Sequence, residues 1–302
     1  MHRHSSSFSD KMEYRITHST VYDYFQPVSL CHNIAMLLPR NTEGQLCKET
    51  NISIDPQPDL LQSYTDFFGN TVLYFAIQKE HKRLSVTVQS VLEKNAPAFQ
   101  NIPSDIAWEA VRTLLQEPGA ANIEVRQYCY ETGFTGSTKE IQDYARVSFT
   151  AGRPMYSAVK ELMQRIYTDF DFTQGFTTVA TPLKDVMQAR KGVCQDFAHL
   201  AIACIRSMGL PARYMSGYIE TMPPPGQAKL YGVDASHAWF AVYIPGSGWL
   251  EFDPTNNMIP NEQHICIGWG RDYADVTPLK GVILSSGPHE LKVSVDVRRT
   301  NS

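Results

Sequence analysis

The sequence predicts an α+β protein: a small β-sandwich followed by a domain in which a helix packs on an antiparallel sheet. Three observations predict it. Residues from Lys11 to about Asn95 read almost wholly as strand, residues from Ala96 to Asp169 turn helical, and strands return after Met208-Gly209-Leu210-Pro211. Strands and helices segregated along a chain give α+β rather than alternating α/β. The expected division is an N-terminal sandwich-like domain at residues 11–98 and a second domain with leading helices at residues 99–302.

The totals exclude several function classes. With 302 residues, 43% hydrophobic and 19% charged, the chain has ample core for one large domain or two ordinary ones and is not of disordered composition. Net charge −4, a pI near 6.1 and the lack of a basic cluster give no electrostatic case for nucleic acid. No apolar run approaches the roughly 18 residues that span a bilayer, so no membrane partner is expected. Met1 to Asp10 is polar, rich in His and Ser, with no apolar segment of signal-peptide type, which makes a cytoplasmic location the expectation. The six cysteines (Cys31, Cys47, Cys129, Cys194, Cys204, Cys266) lack paired spacing and fit free thiols in a reducing compartment.

In the sandwich, Leu84, Val86 and Val88 alternate with Ser85, Thr87 and Gln89, the period of a half-buried strand, and Phe68-Gly69-Asn70-Thr71 reads as a hairpin turn. Ser104 can cap a helix carrying Ala107, Val111 and Leu114. Ser137 or Thr138 starts another through Ile141, Tyr144 and Ala145, and Pro154 begins a third with Val159, Leu162, Met163 and Ile166 on one face. Thr181 as N-cap, Pro182 at the first helical position and Gly192 as the stop outline a helix over Pro182–Arg190. A second stripe follows at Phe197, Ala201, Cys204 and Met208. Strands are then expected at Arg213–Ile219, His237–Ile244, Trp249–Asp253, His264–Gly268 and Leu291–Val297, with an exposed loop at Pro223-Pro224-Pro225-Gly226.

The chemistry concentrates around Lys191-Gly192-Val193-Cys194-Gln195-Asp196. Cys194 falls in the first turn of its helix, beside unpaired N–H groups and the positive end of the helix dipole, where a thiol becomes a usable nucleophile. Gly192 is expected to leave room for a substrate. A lone Cys is more often a small core residue, and Asp196 competes for the same helix end, so the position alone does not decide. The partners downstream do. His237 opens one strand and Asp253 closes the next, sixteen residues later, so an antiparallel hairpin brings them to the same end of the ladder. An Asp accepting the Nδ1–H of that His would leave Nε2 for the nucleophile. Zinc is not expected: Cys194, His199 and Cys204 repeat every five residues, about 500° around a helix, and scatter over the cylinder. No phosphate loop or dinucleotide fingerprint is present, and no cofactor is expected.

The stretches Gly192-Val193-Cys194-Gln195-Asp196-Phe197-Ala198-His199, Gly209 to Tyr218, His237-Ala238-Trp239 and Phe252-Asp253-Pro254-Thr255-Asn256 resemble the bacterial transglutaminase-like superfamily. Tyr14 to His18 with Asp66 to Asn70 is similar to the β-rich region that precedes this core in such proteins, and Arg271 to Val276 resembles their C-terminal segment. The resemblance implies a papain-like core with a Cys-His-Asp triad on Cys194, His237 and Asp253. Its bacterial members are commonly described as candidate cysteine proteases with mostly undefined substrates.

The expected function is a thiol-dependent acyl-transfer enzyme that cleaves a peptide or protein amide through a thioester. Hydrolysis is preferred over transamidation because no calcium loop and no shielded amine tunnel are legible. Trp239 is expected either on the cleft wall or, equally, as a core residue of its strand, and Asp272, with Asp275 beside it, on the cleft where it could select a basic or amine group; Trp239 and Asp272 are the candidate substrate-binding residues. The competing readings are a protein-glutamine transglutaminase, an exported amidase acting on cross-links, and a peptide-binding module without turnover.

Overall fold

The computed structural model of the chain describes residues 11–95, 106–221, 235–285 and 287–300. Six strands come first: β1 (Lys11–Val28), β2 (Leu30–Ala35), β3 (Gln45–Asp55), β4 (Leu60–Thr65), β5 (Thr71–Ile77) and β6 (His81–Asn95). Helices α1 (Trp108–Gln116), α2 (Ala120–Arg126), α3 (Lys139–Ser148) and α4 (Met155–Asp169) follow. Next come the short strand β7 (Asp171–Phe172), α5 (Leu183–Ala189), the short strand β8 (Lys191–Gly192) and α6 (Cys194–Ser207). Strands β9 (Ala212–Ile219), β10 (Ala235–Ile244), β11 (Gly248–Phe252), β12 (His264–Gly270), β13 (Leu279–Leu284) and β14 (His289–Arg299) complete the described chain.

Two four-stranded antiparallel sheets, ordered β14-β1-β6-β3 and β13-β2-β5-β4, face each other as a sandwich. The alternation read in β6 sends Leu84, Val86 and Val88 inward against Cys31, Phe75 and Ile77 of the facing sheet. The turn before β5 closes as expected: Asp66 Oδ1 accepts from the N–H of Phe68 (2.9 Å) and of Asn70 (2.7 Å).

One expectation is corrected at the end of the chain. The boundary at residue 98 assigns everything after it to the second domain, yet β13 pairs with β2 and β14 runs along β1 from Tyr14↔Arg299 to Tyr24↔His289. The sandwich is built from both ends of the chain. Each returning strand covers an edge whose N–H and C=O groups would otherwise lie open. Periodicity identifies a strand but not its neighbour.

The helical stretch matches its local signals. Thr138 caps α3 by accepting from Ile141 N–H, and α4 starts directly after Pro154. The helix start at Ser104 and the loop at Pro223-Pro224-Pro225-Gly226 lie outside the described residues. Two details differ. An additional helix, α2, follows Gly119, and Pro182 is the N-cap of α5 rather than its first residue. Helix α5 stops where Arg190 takes a left-handed conformation (φ 55°), not at Gly192.

The second sheet is ordered β11-β10-β9-β12. Helix α6 lies across it, inside one core shared with Ala238, Phe240, Val242 and Phe252 of the sheet, while its Phe197–Cys204 stripe turns to the helices: Phe197 meets the Phe170 ring (6.1 Å) and Cys204 lies against the Ile141 carbonyl. Strand β12 is an edge strand, and side chains of the sandwich occupy its open side. Gln45 Nε2 donates to Cys266 O (2.7 Å) while Cys266 N–H donates back to Gln45 Oε1 (3.0 Å). Asn70 does the same with Trp269, at 2.8 and 3.0 Å. These two amides take the place of a neighbouring strand, which satisfies the edge and ties sandwich to sheet.

Candidate active site

Cys194 is the first residue of α6, as the sequence predicts. The turn that delivers it is braced from both sides. Strand β7 runs parallel to β8, with Thr173 N–H donating to Gly192 O (2.9 Å), and Asp196 closes the helix start by accepting from Val193 N–H (2.8 Å) and Thr177 Oγ1–H (2.6 Å). Burial raises the pKa of Asp196 against the lowering effect of these two hydrogen bonds. Asp196 therefore serves as the cap of the helix. Gly192 is explained by the same packing rather than by substrate access. A Cβ there would lie 2.9 Å from Asp196 Oδ2 and 3.2 Å from the Phe197 ring.

The hairpin joins His237 and Asp253 as its geometry requires. Phe240 pairs with Phe252 at the end of the β10–β11 ladder, and just beyond it His237 Nε2–H donates to Asp253 Oδ2 at 2.8 Å. The other ring nitrogen is left for Cys194, whose side chain hydrogen-bonds His237. The expected assignment of the two nitrogens is thus reversed: Nε2 meets the carboxylate, which leaves Nδ1 for the sulfur. Spacing predicts that the residues meet. Which ring edge faces which partner depends on the strand's orientation over the helix end.

Two further residues bind the carboxylate. His264, at the start of β12, donates from Nε2 to Asp253 Oδ2 (3.0 Å), and Asn256 Nδ2 donates to the same oxygen (2.7 Å). Oδ1 accepts from the N–H of Thr255 (2.9 Å) and of Asn256 (3.2 Å). Burial would raise the Asp253 pKa, but the hydrogen bonds from His237, His264 and Asn256 and the imidazolium charge hold it well below the usual carboxylate range. His237 shows the complementary result. Burial opposes its charge, yet the hydrogen bonds and negative charge of Asp253 and Cys194 hold its pKa up at about 10.

Sequence reasoning missed His264 and Asn256. Asn256 sits three residues after Asp253, the reach of a local Asx-type turn, and could have been read from that spacing. His264 had no such signal. His237, Asp253 and His264 also form the cluster whose donor atoms lie close enough together to hold a metal ion, within 4.8 Å. Here those atoms satisfy one another by hydrogen bonding.

Trp239 and Asp272, the candidate substrate-binding residues, are corrected. Trp239 is 0% exposed; its ring stacks on His237 (5.9 Å between centroids) and meets His264 edge-on (5.4 Å), and its Nε1–H donates to Glu251 (2.8 Å). It backs the imidazole and faces no open space. Asp272 is 5% exposed and accepts from Ala274 N–H (2.8 Å) as the cap of the short helix at Tyr273–Val276. Asp275 is paired with Arg271 (2.9 Å). The five-residue series Cys194, His199, Cys204 disperses as helix geometry demands: Cys204 lies wholly in the core, with burial pushing its thiol up to about 12.

Comparison with known proteins places this arrangement in a family. Residues 14–93 match the bacterial transglutaminase-like N-terminal region and residues 142–254 match the transglutaminase-like superfamily. An uncharacterized protein of Mycobacterium tuberculosis is 38% identical over 97% of this chain and 95% of its own length. An uncharacterized protein of Mycobacterium leprae is 31% identical over 94% and 98%. A protein-glutamine gamma-glutamyltransferase of Pseudomonas aeruginosa is 33% identical over 76 residues, 25% of this chain and 11% of that protein. The crystal structure of a putative cysteine protease from Cytophaga hutchinsonii superposes with a TM-score of 0.75 at 21% identity, covering 97% of this chain and 92% of that one, and so shares the fold. With its core and its N-terminal region both matched and relatives alike over nearly their whole length, the chain belongs to the transglutaminase-like superfamily.

Proposed function

We propose that the protein is a thiol-dependent acyl-transfer enzyme that hydrolyses an amide bond in a peptide or protein. The observation that carries this reading is the unbroken line from Cys194, through the two nitrogens of His237, to the buried Asp253 carboxylate. Cys194 Sγ attacks the carbonyl carbon while His237 holds the thiol proton as imidazolium. The C–N bond breaks, His237 gives the proton to the leaving amine, and a thioester remains on Cys194. Water then attacks the thioester, His237 takes its proton, and the acid departs as the thiol is restored. The N–H of Cys194, one of the first-turn groups without a helical acceptor, aims at the developing oxyanion. The six unpaired cysteines favour a reducing compartment, in keeping with a cytoplasmic location.

Transfer to an amine instead of water is the second reading, favoured by the similarity to the Pseudomonas gamma-glutamyltransferase over 76 residues. The test of the first step is the pH profile of alkylation at Cys194, followed by peptide mass spectrometry. The reading expects Cys194 to react at pH 6–7 well ahead of the partly exposed Cys47, with His237→Ala abolishing the advantage. Labelling of Cys194 no faster than Cys47, rising only near the ordinary thiol pKa of about 8.5, would sink it. A primary-amine donor added to turning-over enzyme separates the two fates: an amine adduct means transamidation, a free acid means hydrolysis.

A further inference from the structure

We infer that His264 is a positioning residue for Asp253, and that the N-terminal sandwich, by clamping β12, is part of the catalytic apparatus. This inference rests on the acyl-transfer reading for its functional meaning but not for its test. Three donors converge on Asp253 Oδ2: His237 Nε2–H at 2.8 Å, His264 Nε2–H at 3.0 Å and Asn256 Nδ2–H at 2.7 Å. His264 and Asn256 bracket the oxygen and aim it at His237. The Asp253 carboxylate can only accept, so His264 Nε2 carries the proton it donates; Nδ1 lies 3.4 Å from both the N–H and the Oδ1 of Asn261.

What holds His264 comes from the other domain. Lys94, in β6 of the sandwich, donates from Nζ to the His264 carbonyl at 2.6 Å. Gln45 fastens Cys266 two residues on, and Asn70 fastens Trp269. On the inner side β12 closes tightly on β9, because a Cβ at Gly217 would lie 1.9 Å from Ile265 O and 2.7 Å from the Trp239 ring. Strand β12 is therefore fixed from both edges, and with it the second histidine. The N-terminal region reaches the nucleophile in four contacts: Lys94 to His264, His264 to Asp253, Asp253 to His237, His237 to Cys194.

The readout is the titration of the His237 ring by NMR of histidine-labelled full-length protein, which needs no substrate. The titratable groups around His237 are Cys194 from α6, Asp253 at the end of β11 and His264 from β12, with Glu251 behind Trp239 and Lys94 beyond His264. In His264→Phe, which keeps the packing and loses the donor, the His237 imidazolium is expected to deprotonate about one pH unit lower, a tenfold weaker hold on the proton. His264→Gln, whose amide nitrogen can reach the same oxygen, is expected to restore the wild-type titration, and Lys94→Met to move it in the same direction by less. An unmoved titration in His264→Phe, a shift to higher pH, or failure of His264→Gln to rescue overturns the role of His264. An unmoved titration in Lys94→Met overturns that of the clamp. Failure of the acyl-transfer reading is seen separately, in slow alkylation of wild-type Cys194.

Discussion

His199 and His237 are both nearly enclosed, 2% and 7% exposed, and both stack on aromatic rings, yet their protons are treated oppositely. His199, in the second turn of α6, accepts the Tyr273 N–H at Nε2 (3.1 Å) and lies against Phe134. Burial, reinforced by the Arg206 charge, pushes it down to about 3, so it stays neutral. His237 has Asp253 on one nitrogen and Cys194 on the other, and these hold it up at about 10 in spite of burial. Burial makes a histidine a structural acceptor unless a negative partner is built in beside it. The site is distinguished from the core by partners, not by exposure.

The sharpest way to break this contrast is to remove the partner. Asp253→Asn leaves His237 buried without its carboxylate, and alkylation of Cys194 at neutral pH and any amide turnover should drop by about two to four orders of magnitude. The change is checked by comparing labelling rates with those of wild type, with circular dichroism confirming the fold.

The two histidines should also leave opposite marks on stability. His237, raised above its ordinary 6.5, contributes stability that is full below pH 6.5 and is lost as pH climbs toward about 10. His199, lowered to about 3, contributes stability that is lost as pH falls from 6.5 toward 3, and His18, pushed to about 4 by burial, adds to the same acid slope. Each proton gives a slope of at most about 1.4 kcal/mol per pH unit. His199→Gln should make the acid limb shallower and leave the alkaline limb alone, and His237→Gln should do the reverse. Calorimetric unfolding across pH 3–10 reads both.

The corrected residues supply the smaller effects. Trp239→Phe keeps the stack behind His237 but orphans Glu251 and opens space, which should cost about 1–3 kcal/mol of stability and leave the pH profile of Cys194 labelling in place. A changed KM with unchanged stability would return Trp239 to the cleft. Asp272→Ala should cost about 1 kcal/mol, the value of a helix cap, and Asp272→Asn almost nothing, because Asn caps as well as Asp. Denaturant melts of the two variants decide this, and a selective loss of activity in Asp272→Asn would contradict the capping role.

Much of this molecule is legible in its sequence alone. Features governed by neighbours within about twenty residues read correctly: the alternation of β6, the Thr138 cap, the helix opening on Cys194, and the hairpin that brings His237 and Asp253 together. In each, the hydrogen bond or buried face is set by residues close in the chain, so spacing carries the information. The rest depends on partners that arrive from far along the chain. Strand β14 is read from its period but carries no mark of the sheet it joins, and β13, without alternation, is not read as a strand at all. His264 is an ordinary strand residue until β12 is laid beside β9 and pinned by Lys94, 170 residues earlier. Trp239 reads equally as cleft wall or core because the sequence shows its neighbour His237 but not the strand that covers it. The physical reason is common to all three. Local chemistry selects the element and its face, whereas burial, edge pairing and the assignment of ring nitrogens depend on which surfaces the long-range packing brings against that face.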